Sequence, residues 1–255
     1  MDVVRSQSWA VEAEKYELHS GRVDVWQLRL DEPELGISSP ALDSPEGSLL
    51  APDENIRAAR FHFDDDRVRF TRCRTALRRL LGHYLDLAPA NIRFTYTTNG
   101  KPEVAANQNP DNLRFNVSHS GNMALIAVGV ADDLGVDIEK LRADVNTADL
   151  AERFFSVRER ETLRGLPESL RLAAFFACWA RKEAFLKAMG EGLGFPLADF
   201  SVSVHPGIEP RIEEIRGDER ASREWSLIDV EAAEGFRSAV AIKHAGAAIT
   251  MHSLR

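Results

Sequence analysis

Two carboxylates, Asp137 and Glu139, stand two residues apart in LGVDIEKL (Leu134–Leu141), a run that otherwise reads as a buried strand. In a strand, residues i and i+2 share a face, with Cα atoms roughly 6.5–7 Å apart. The two acids therefore point one way and Val136 and Ile138 the other. Unpaired and partly buried, two such acids repel each other and resist desolvation. Three arrangements satisfy them. A lysine or arginine can stand between them, although Lys140 points the wrong way. A divalent cation can do the same, since hard oxygen ligands suit magnesium. Otherwise both acids lie exposed on an edge strand, and a motif this short does not choose among the three.

A second chemical stretch is WARKEAFLK (Trp179–Lys187), which puts Trp179, Glu183 and Lys187 at i, i+4 and i+8 along one helix face, with Phe176 nearby and Lys182 beside the stripe. A surface Glu–Lys pair is the plain reading, worth about 0.3–0.5 kcal/mol. The opposite side, however, carries Ala173, Ala177, Ala180, Ala184 and Ala188. A helix apolar on both sides is mostly buried, so Glu183 and Lys187 need a paired or functional explanation. A third carboxylate and a lysine near Asp137 and Glu139 would make a magnesium–phosphate site.

The elements that must position these residues follow from periodicity and punctuation. RVDVWQLRL (Arg22–Leu30) alternates as a strand, and a proline-rich polar loop covers 31–52. A helix capped by Asp53 or a neighbour is expected from near Glu54 to near Phe63. A longer one opens on Asp64, Asp65 and Asp66, carries Val68, Cys73, Leu77, Leu80 and Leu81 at helical spacing, includes Gly82, and stops at Pro89. IRFTYTTNGKPEV reads as a strand entering an Asn-Gly turn. LRFNVSHSGNMALIAVGV reads as a hairpin with Ser-His-Ser-Gly as its turn. Helices are expected at Ala148–Phe155, Val157–Leu163 and Ser169–Met189, then strands at Phe200–Val204, Arg211–Ile215, Glu224–Val230, Phe236–Lys243 and Ile249–Leu254. The two halves share an order, and their leading strands rhyme, VDVWQL with VDIEKL, which points to a weak internal duplication. Strands after helices indicate an α+β architecture, divided into residues 1–132 and 133–255.

The 255 residues suffice for a real core, and a net charge of −8 gives no general attraction to nucleic acid or anionic membrane. Cys73 and Cys178 read as two buried thiols in a reducing cytoplasm. The N-terminal stretch lacks the apolar core of a signal peptide, and no stretch reaches membrane-spanning length. A cytoplasmic protein is expected.

Taken together, Gly135-Val136-Asp137-Ile138-Glu139 and Trp179-Ala180-Arg181-Lys182-Glu183-Ala184-Phe185-Leu186-Lys187 resemble the G-[IV]-D-x-E and W-x-x-K-E-[AS]-x-x-K motifs of 4′-phosphopantetheinyl transferases of the broad-specificity, surfactin-synthetase-activating type. Gly100-Lys101-Pro102 and Phe115-Asn116-Val117-Ser118-His119-Ser120-Gly121 match two further family segments in the right order. RFFS..E (Arg153–Ser156, Glu159) and GLGFPL.DFSV (Gly192–Val202) are also similar, so the resemblance runs from about Asp53 to Val204.

The resemblance implies a monomer built as a pseudo-twofold pair of similar α+β subdomains, with coenzyme A in the cleft between them. It implies transfer of the 4′-phosphopantetheine arm from coenzyme A, as co-substrate, to a serine of an apo acyl or peptidyl carrier protein, releasing 3′,5′-ADP. On this match Asp137, Glu139 and Glu183 are the magnesium ligands, with manganese as the alternative. Glu183 receives the serine proton, and Lys187 neutralises charge on the bridging oxygen and leaving group. Gly100, Lys101 and Pro102 match the adenine-side wall; Ser118 and His119 match groups near the 3′-phosphate. Arg57 and Arg69 are the phosphate ligands favoured from the run that also holds Arg60, Arg67, Arg72, Arg74, Arg78 and Arg79; Arg78 is a further candidate, and the rest read as a solvated face balanced by aspartates. His119 reads as a donor in a tight turn rather than a metal ligand, because no second histidine stands at ligand spacing. The carrier is expected beside the cleft near Gly190–Phe200.

Two positions depart from the family pattern: Glu54, where some members carry a basic residue, and Phe70, where a small hydroxyl residue can sit. The competing readings are a non-catalytic coenzyme A or nucleotide-binding module with a decayed site, which the intact Asp137, Glu139, Glu183 and Lys187 oppose, and a nucleic-acid-binding protein, which the neighbouring aspartates and overall acidity oppose. The carrier's pathway, whether fatty acid, polyketide, peptide or siderophore, is not written in the motifs.

Overall fold

A computed structural model describes residues 5–7, 18–31, 49–130, 133–190 and 194–254; most of the proline-rich loop and of the first twenty residues lies outside them. The chain runs β1 (Arg5–Gln7), β2 (Arg22–Arg29), α1 (Pro52–Ala59), α2 (Asp64–Leu85), β3 (Phe94–Tyr96), β4 (Pro102–Val104), β5 (Arg114–Ser120), β6 (Met123–Gly129), β7 (Leu134–Lys140), α3 (Thr147–Phe154), α4 (Val157–Gly165), α5 (Glu168–Met189), β8 (Phe200–Val202), β9 (Ile212–Ile215), β10 (Ser226–Asp229), β11 (Phe236–Ile242) and β12 (Ala248–Leu254). This is the α+β architecture expected from the order of elements.

Local chemistry explains most boundaries. α1 begins at Pro52, whose missing N–H costs nothing at a helix start, and its cap comes from Glu54, which accepts from the Ala51 N–H at 2.8 Å, not from Asp53. α2 carries three aspartates in its first turn and ends at Asp86 in the left-handed region (φ 54°). Gly82 is needed inside it, because a Cβ there would lie 2.6 Å from the Leu87 carbonyl oxygen. The β5–β6 turn is Gly121-Asn122, so Ser118, His119 and Ser120 belong to β5. The expected Ser-His-Ser-Gly turn is thus corrected: a left-handed glycine (φ 57°) closes the hairpin in two residues and lets the strand run on.

The first sheet has the order β1-β12-β2-β6-β5 and the second β10-β11-β7; β3–β4 and β8–β9 are small hairpins. β12 pairs parallel to both β1 and β2, with Ile249 opposite Val23 and Leu254 opposite Leu28. The stretch 133–255 is therefore not wholly a second half, because its last strand returns to the first sheet. The alternation anticipated in β7 holds. Val136 and Ile138 enter a core shared with Val23, Val25 and Leu125 of the first sheet, while Gly135 faces α5. Separate cores lie under α2 (Leu77, Leu80, Leu81 with Trp26 and Phe115) and around α5 (Phe175, Phe185, Phe200). Cys73 and Cys178 are free, buried thiols, and burial pushes Cys73 up to about 12. Among the described residues, no helix is long and apolar enough to cross a membrane.

Candidate active site

Gly135 opens the site. A Cβ at this position would lie 2.1 Å from the Ala184 carbonyl oxygen and 2.3 Å from the Ala188 nitrogen, so α5 rests on the bare backbone of β7. Ala184 and Ala188 on the helix, with Ala239 and Ala241 on neighbouring β11, complete this small-residue contact. The close approach brings the α5 side chains to β7. Upstream, Trp179 packs edge-on to Phe154 (ring centroids 5.6 Å apart) and against Phe175 (5.8 Å), which fixes the rotation of the helix.

Asp137 is 3 % exposed. Its Oδ1 accepts from Lys187 Nζ at 2.6 Å and from Ser118 Oγ at 2.8 Å, and Lys187 also donates to Ser118 Oγ at 2.9 Å. Its buried Oδ2 has no hydrogen-bond partner among the described residues. Burial holds the Asp137 carboxyl above its ordinary pKa, against the pull of Lys187. Burial also raises Glu139 and Glu183, and in each the negative charge of Asp137 adds to the shift. Asp137 thus repels both glutamates, and Lys187 attracts all three acids. Among the described residues, no three acid, histidine or cysteine side chains gather closely enough to hold a metal ion as they stand. Glu139 and Glu183 are only half-buried, and their side chains would have to turn toward Oδ2 to close such a set.

The anticipated phosphate residues converge electrostatically on His119. His119 is exposed, yet its pKa is lowered, first by partial burial and then by Lys187, Arg57 and Arg69, with Asp66 opposing. Arg57 is exposed and lies over the Phe70 ring, 5.3 Å from its centroid. The phenylalanine that departs from the family pattern is therefore a shelf for this guanidinium. Arg69 is shared with Asp66 at 3.2 Å and Asp65 at 3.9 Å. Arg78 is corrected: it is buried, donates to Glu54 Oε2 at 2.6 Å and to the Pro89 and Ile92 carbonyls, and is unavailable to a ligand. Arg74 pairs with the same Glu54. The second departure is thus a buried carboxylate clamping two arginines of α2 beneath α1.

Two further expected site residues have protein partners of their own. Lys101 Nζ donates to the carbonyls of Lys187 (2.7 Å), Leu134 (3.0 Å) and Ala188 (3.1 Å), and Asn99 Nδ2 to Gly190 (2.9 Å). The Gly100-Lys101-Pro102 turn therefore bolts the C-terminus of α5 to the start of β7, and the ammonium is spent on carbonyls rather than offered to adenine. Pro102, with Thr97, Thr98, Arg114 and Met189, lines a cleft of about 300 Å³ beside that bolt. Ser118 lies at the Asp137–Lys187 pair, so its hydroxyl is committed there. Sequence reasoning also missed the partner of Lys182, which is fully buried and donates to both oxygens of Glu159 (2.6 and 2.8 Å) and to the Phe200 carbonyl (2.6 Å). The readable signal was Ser156 with Glu159 three residues on, a capping box that places Glu159 at the start of α4.

Comparison with known proteins places the chain in a family. The profile of the 4′-phosphopantetheinyl transferase superfamily matches residues 133–241, and that of the 4′-phosphopantetheinyl transferase N-terminal region matches residues 44–130. The chain is 35 % identical to the 4′-phosphopantetheinyl transferase HetI of Nostoc sp. over 92 % of this chain and 93 % of that protein. It is 31 % identical to the 4′-phosphopantetheinyl transferase Sfp of Bacillus subtilis, over 65 % of this chain and 71 % of that one. The human L-aminoadipate-semialdehyde dehydrogenase-phosphopantetheinyl transferase is also 31 % identical, over 76 % and 67 %. With profiles matched over residues 44–130 and 133–241 and a relative spanning nearly the whole length, the chain belongs to the 4′-phosphopantetheinyl transferase superfamily.

Proposed function

We propose that this enzyme transfers the 4′-phosphopantetheine arm of coenzyme A to a serine of an apo acyl or peptidyl carrier protein, acting as a cytoplasmic monomer with magnesium. The observation that carries this reading is the buried Asp137, held on one oxygen by Lys187 and Ser118, with the other left unpartnered, and its charge helping to raise the pKa of Glu139 and Glu183. The donor set fits a hard divalent cation: Asp137, Glu139 and Glu183 would hold it, manganese being the alternative. Once bound, such an ion offsets negative charge on the diphosphate.

The chain's own residues divide the remaining work. Glu183, whose burial moves its pKa toward neutrality, is suited to accept the proton of the carrier serine. The serine oxygen forms its bond to the β-phosphorus as the bond from that phosphorus to the bridging oxygen breaks, leaving 3′,5′-ADP. Lys187, kept beside Asp137, meets the charge that grows on the leaving group. Arg57 and Arg69 supply the positive face for the remaining phosphates, and His119, its pKa lowered beside them, a ring N–H to donate. Carrier docking near Gly190–Phe200 belongs to the same proposal; residues 191–193 of that stretch lie outside the described ones.

The test is mass spectrometry of a panel of apo carriers incubated with coenzyme A and magnesium. A gain of one phosphopantetheine, lost in Glu183→Gln, is the expected result. Coenzyme A binding without transfer to any carrier would leave a non-catalytic coenzyme A-binding module.

A further inference from the structure

β5 and β7 lie side by side, yet among the described residues β5 pairs along its backbone only with β6, and β7 only with β11. Alternate side chains of β5 make the joint instead. Asn116 Oδ1 accepts from the Val136 N–H at 2.9 Å, Ser118 Oγ from the Ile138 N–H at 3.4 Å, and Ser120 Oγ from the Lys140 N–H at 3.1 Å. A serine hydroxyl that accepts still has a proton to give. Each gives it to the carboxylate one residue back on β7: Ser118 to Asp137 Oδ1 at 2.8 Å, Ser120 to Glu139 Oε2 at 3.1 Å. At the first rung the residue one back is Gly135, which has no side chain to receive a proton, and there β5 presents an amide rather than a hydroxyl. The unit repeats with the two-residue period common to both strands.

We propose that Ser118 and Ser120 are positioning residues, each hydroxyl holding one acid by a single oxygen and thereby setting the affinity of the site for its divalent cation. This rests on the transferase reading above. Ser118 and Lys187 occupy Oδ1 of Asp137 together, and that occupation leaves the buried Oδ2 as the oxygen without a partner. Ser120 does the corresponding service for Glu139, which is half-buried and has a longer chain to restrain. Hydrogen bonds from outside the ligand set orient metal-binding carboxylates, and removing one typically weakens metal binding by roughly 10- to 100-fold. Because the same hydroxyls join the two sheets, the acids are aimed only while β5 and β7 are in register.

The full-length wild type, Ser120→Ala and Ser120→Thr are compared by electron paramagnetic resonance titration with Mn2+ in the presence of coenzyme A, by transfer to an apo carrier as Mn2+ is varied, and by thermal melting. A positioning role predicts Mn2+ binding weakened roughly 10-fold in Ser120→Ala, with kcat at saturating Mn2+ falling less than the affinity. Ser120→Thr, which keeps the hydroxyl, restores the affinity. Ser118→Ala loses kcat as well, because the same hydroxyl steadies Lys187. A Ser120→Ala protein that melts lower but binds Mn2+ as tightly as wild type overturns the proposal, the hydroxyl then being a joint between sheets and nothing more. A wild type that modifies no carrier refutes the transferase reading and this role with it, whereas an active wild type with unchanged Mn2+ affinity in Ser120→Ala refutes the positioning role alone.

Discussion

Each half of the molecule sets one aspartate on its leading strand, after a valine that enters the shared core, and turns it toward a 22-residue helix. In the first half this is Asp24 on β2. Tyr84 of α2 donates to its Oδ2 at 2.7 Å, His252 Nε2 lies 3.1 Å from its Oδ1, and the His252 ring stacks on Trp26 with centroids 4.2 Å apart. In the second half it is Asp137, with Lys187 of α5 on one oxygen and nothing on the other among the described residues. The first acid has a partner on each oxygen and is structure. The second keeps an oxygen in reserve, and buried groups with unspent valence and shifted pKa concentrate at functional sites. The divergence begins two residues earlier. Gly135 lets α5 descend onto β7, whereas the matching Arg22 is exposed and, among the described residues, α2 makes no comparably close approach to any strand.

The paired substitutions Asp137→Asn and Asp24→Asn press hardest on this contrast. Asp137→Asn should lower transfer on the order of 10³-fold, the scale expected when a group stabilising charge in the transition state is lost, while the protein stays folded. Asp24→Asn should retain transfer within about threefold and lose roughly 1.5–3 kcal/mol of stability, as charge-assisted hydrogen bonds are removed. Transfer assays beside urea denaturation measure both. If the two variants lose activity alike, the two acids do not differ in kind.

Gly135→Ala tests the origin of the divergence. The added methyl meets backbone atoms, which cannot rotate away, so the loss belongs at or above the top of the overpacking range, about 3 kcal/mol. Arg22→Ala, at the matching position on an exposed surface, should stay within about 0.5 kcal/mol. Urea midpoints at constant m-value decide the comparison.

The reserve in the second half also has a pH signature. Asp137, Glu139 and Glu183 all titrate high in the folded state, first because burial disfavours their charged forms. An acid whose folded pKa exceeds its unfolded one contributes most to stability when protonated. That contribution is complete below the ordinary carboxylate range and is lost as pH rises through the raised value. At neutral pH the apo protein therefore carries an unrelieved cost in this region, which a divalent cation can offset. Magnesium at a hundredfold excess over its Kd should stabilise by about 2.7 kcal/mol near pH 7.5. The gain should shrink as pH falls toward the carboxylate range, because protons and metal compete for the same oxygens. Calorimetry across that range should find the gain intact in Asp24→Asn and absent in Asp137→Asn.

How much of this was legible before the coordinates depended on whether a pattern was local. The acids of LGVDIEKL and the stripe through Glu183 and Lys187 are short periodic patterns, and the structure puts them on one strand and the helix resting upon it. Long-range pairing was not legible: nothing local in AITMHSL announces that β12 returns to lie between β1 and β2. Nor did residue type reveal its partner. Lys101 suits a nucleotide as well as three carbonyls, and Glu54 looked like a missing base because Arg74 and Arg78 lie a helix away. Serine and glycine signal turns, so residue type alone puts Ser118 and His119 in one. The left-handed geometry at Gly121 moved the turn beyond them, and that put the serines at the joint between the sheets.

The smallest expected effects concern the charge that the first half contributes to the second. Arg57 leans on Phe70 and has no carboxylate partner among the described residues, whereas Arg69 is already shared with Asp65 and Asp66. Both act on His119, so both face the region where the phosphates of coenzyme A are expected. Arg57→Ala should raise KM for coenzyme A roughly tenfold, with kcat little changed, the pattern of lost ground-state binding. Arg69→Ala should raise it only about two- to threefold, because removing a neutralised cation also frees two aspartates to repel the anion. The difference between the variants should narrow as salt is added, since exposed charges are screened over about 10 Å at 0.1 M. Initial rates against coenzyme A at two ionic strengths separate these outcomes. Equal KM values for the two variants would mean that Asp65 and Asp66 do not hold back Arg69, and a fall in kcat instead would move Arg57 from the binding face of the first half to the chemistry of the second.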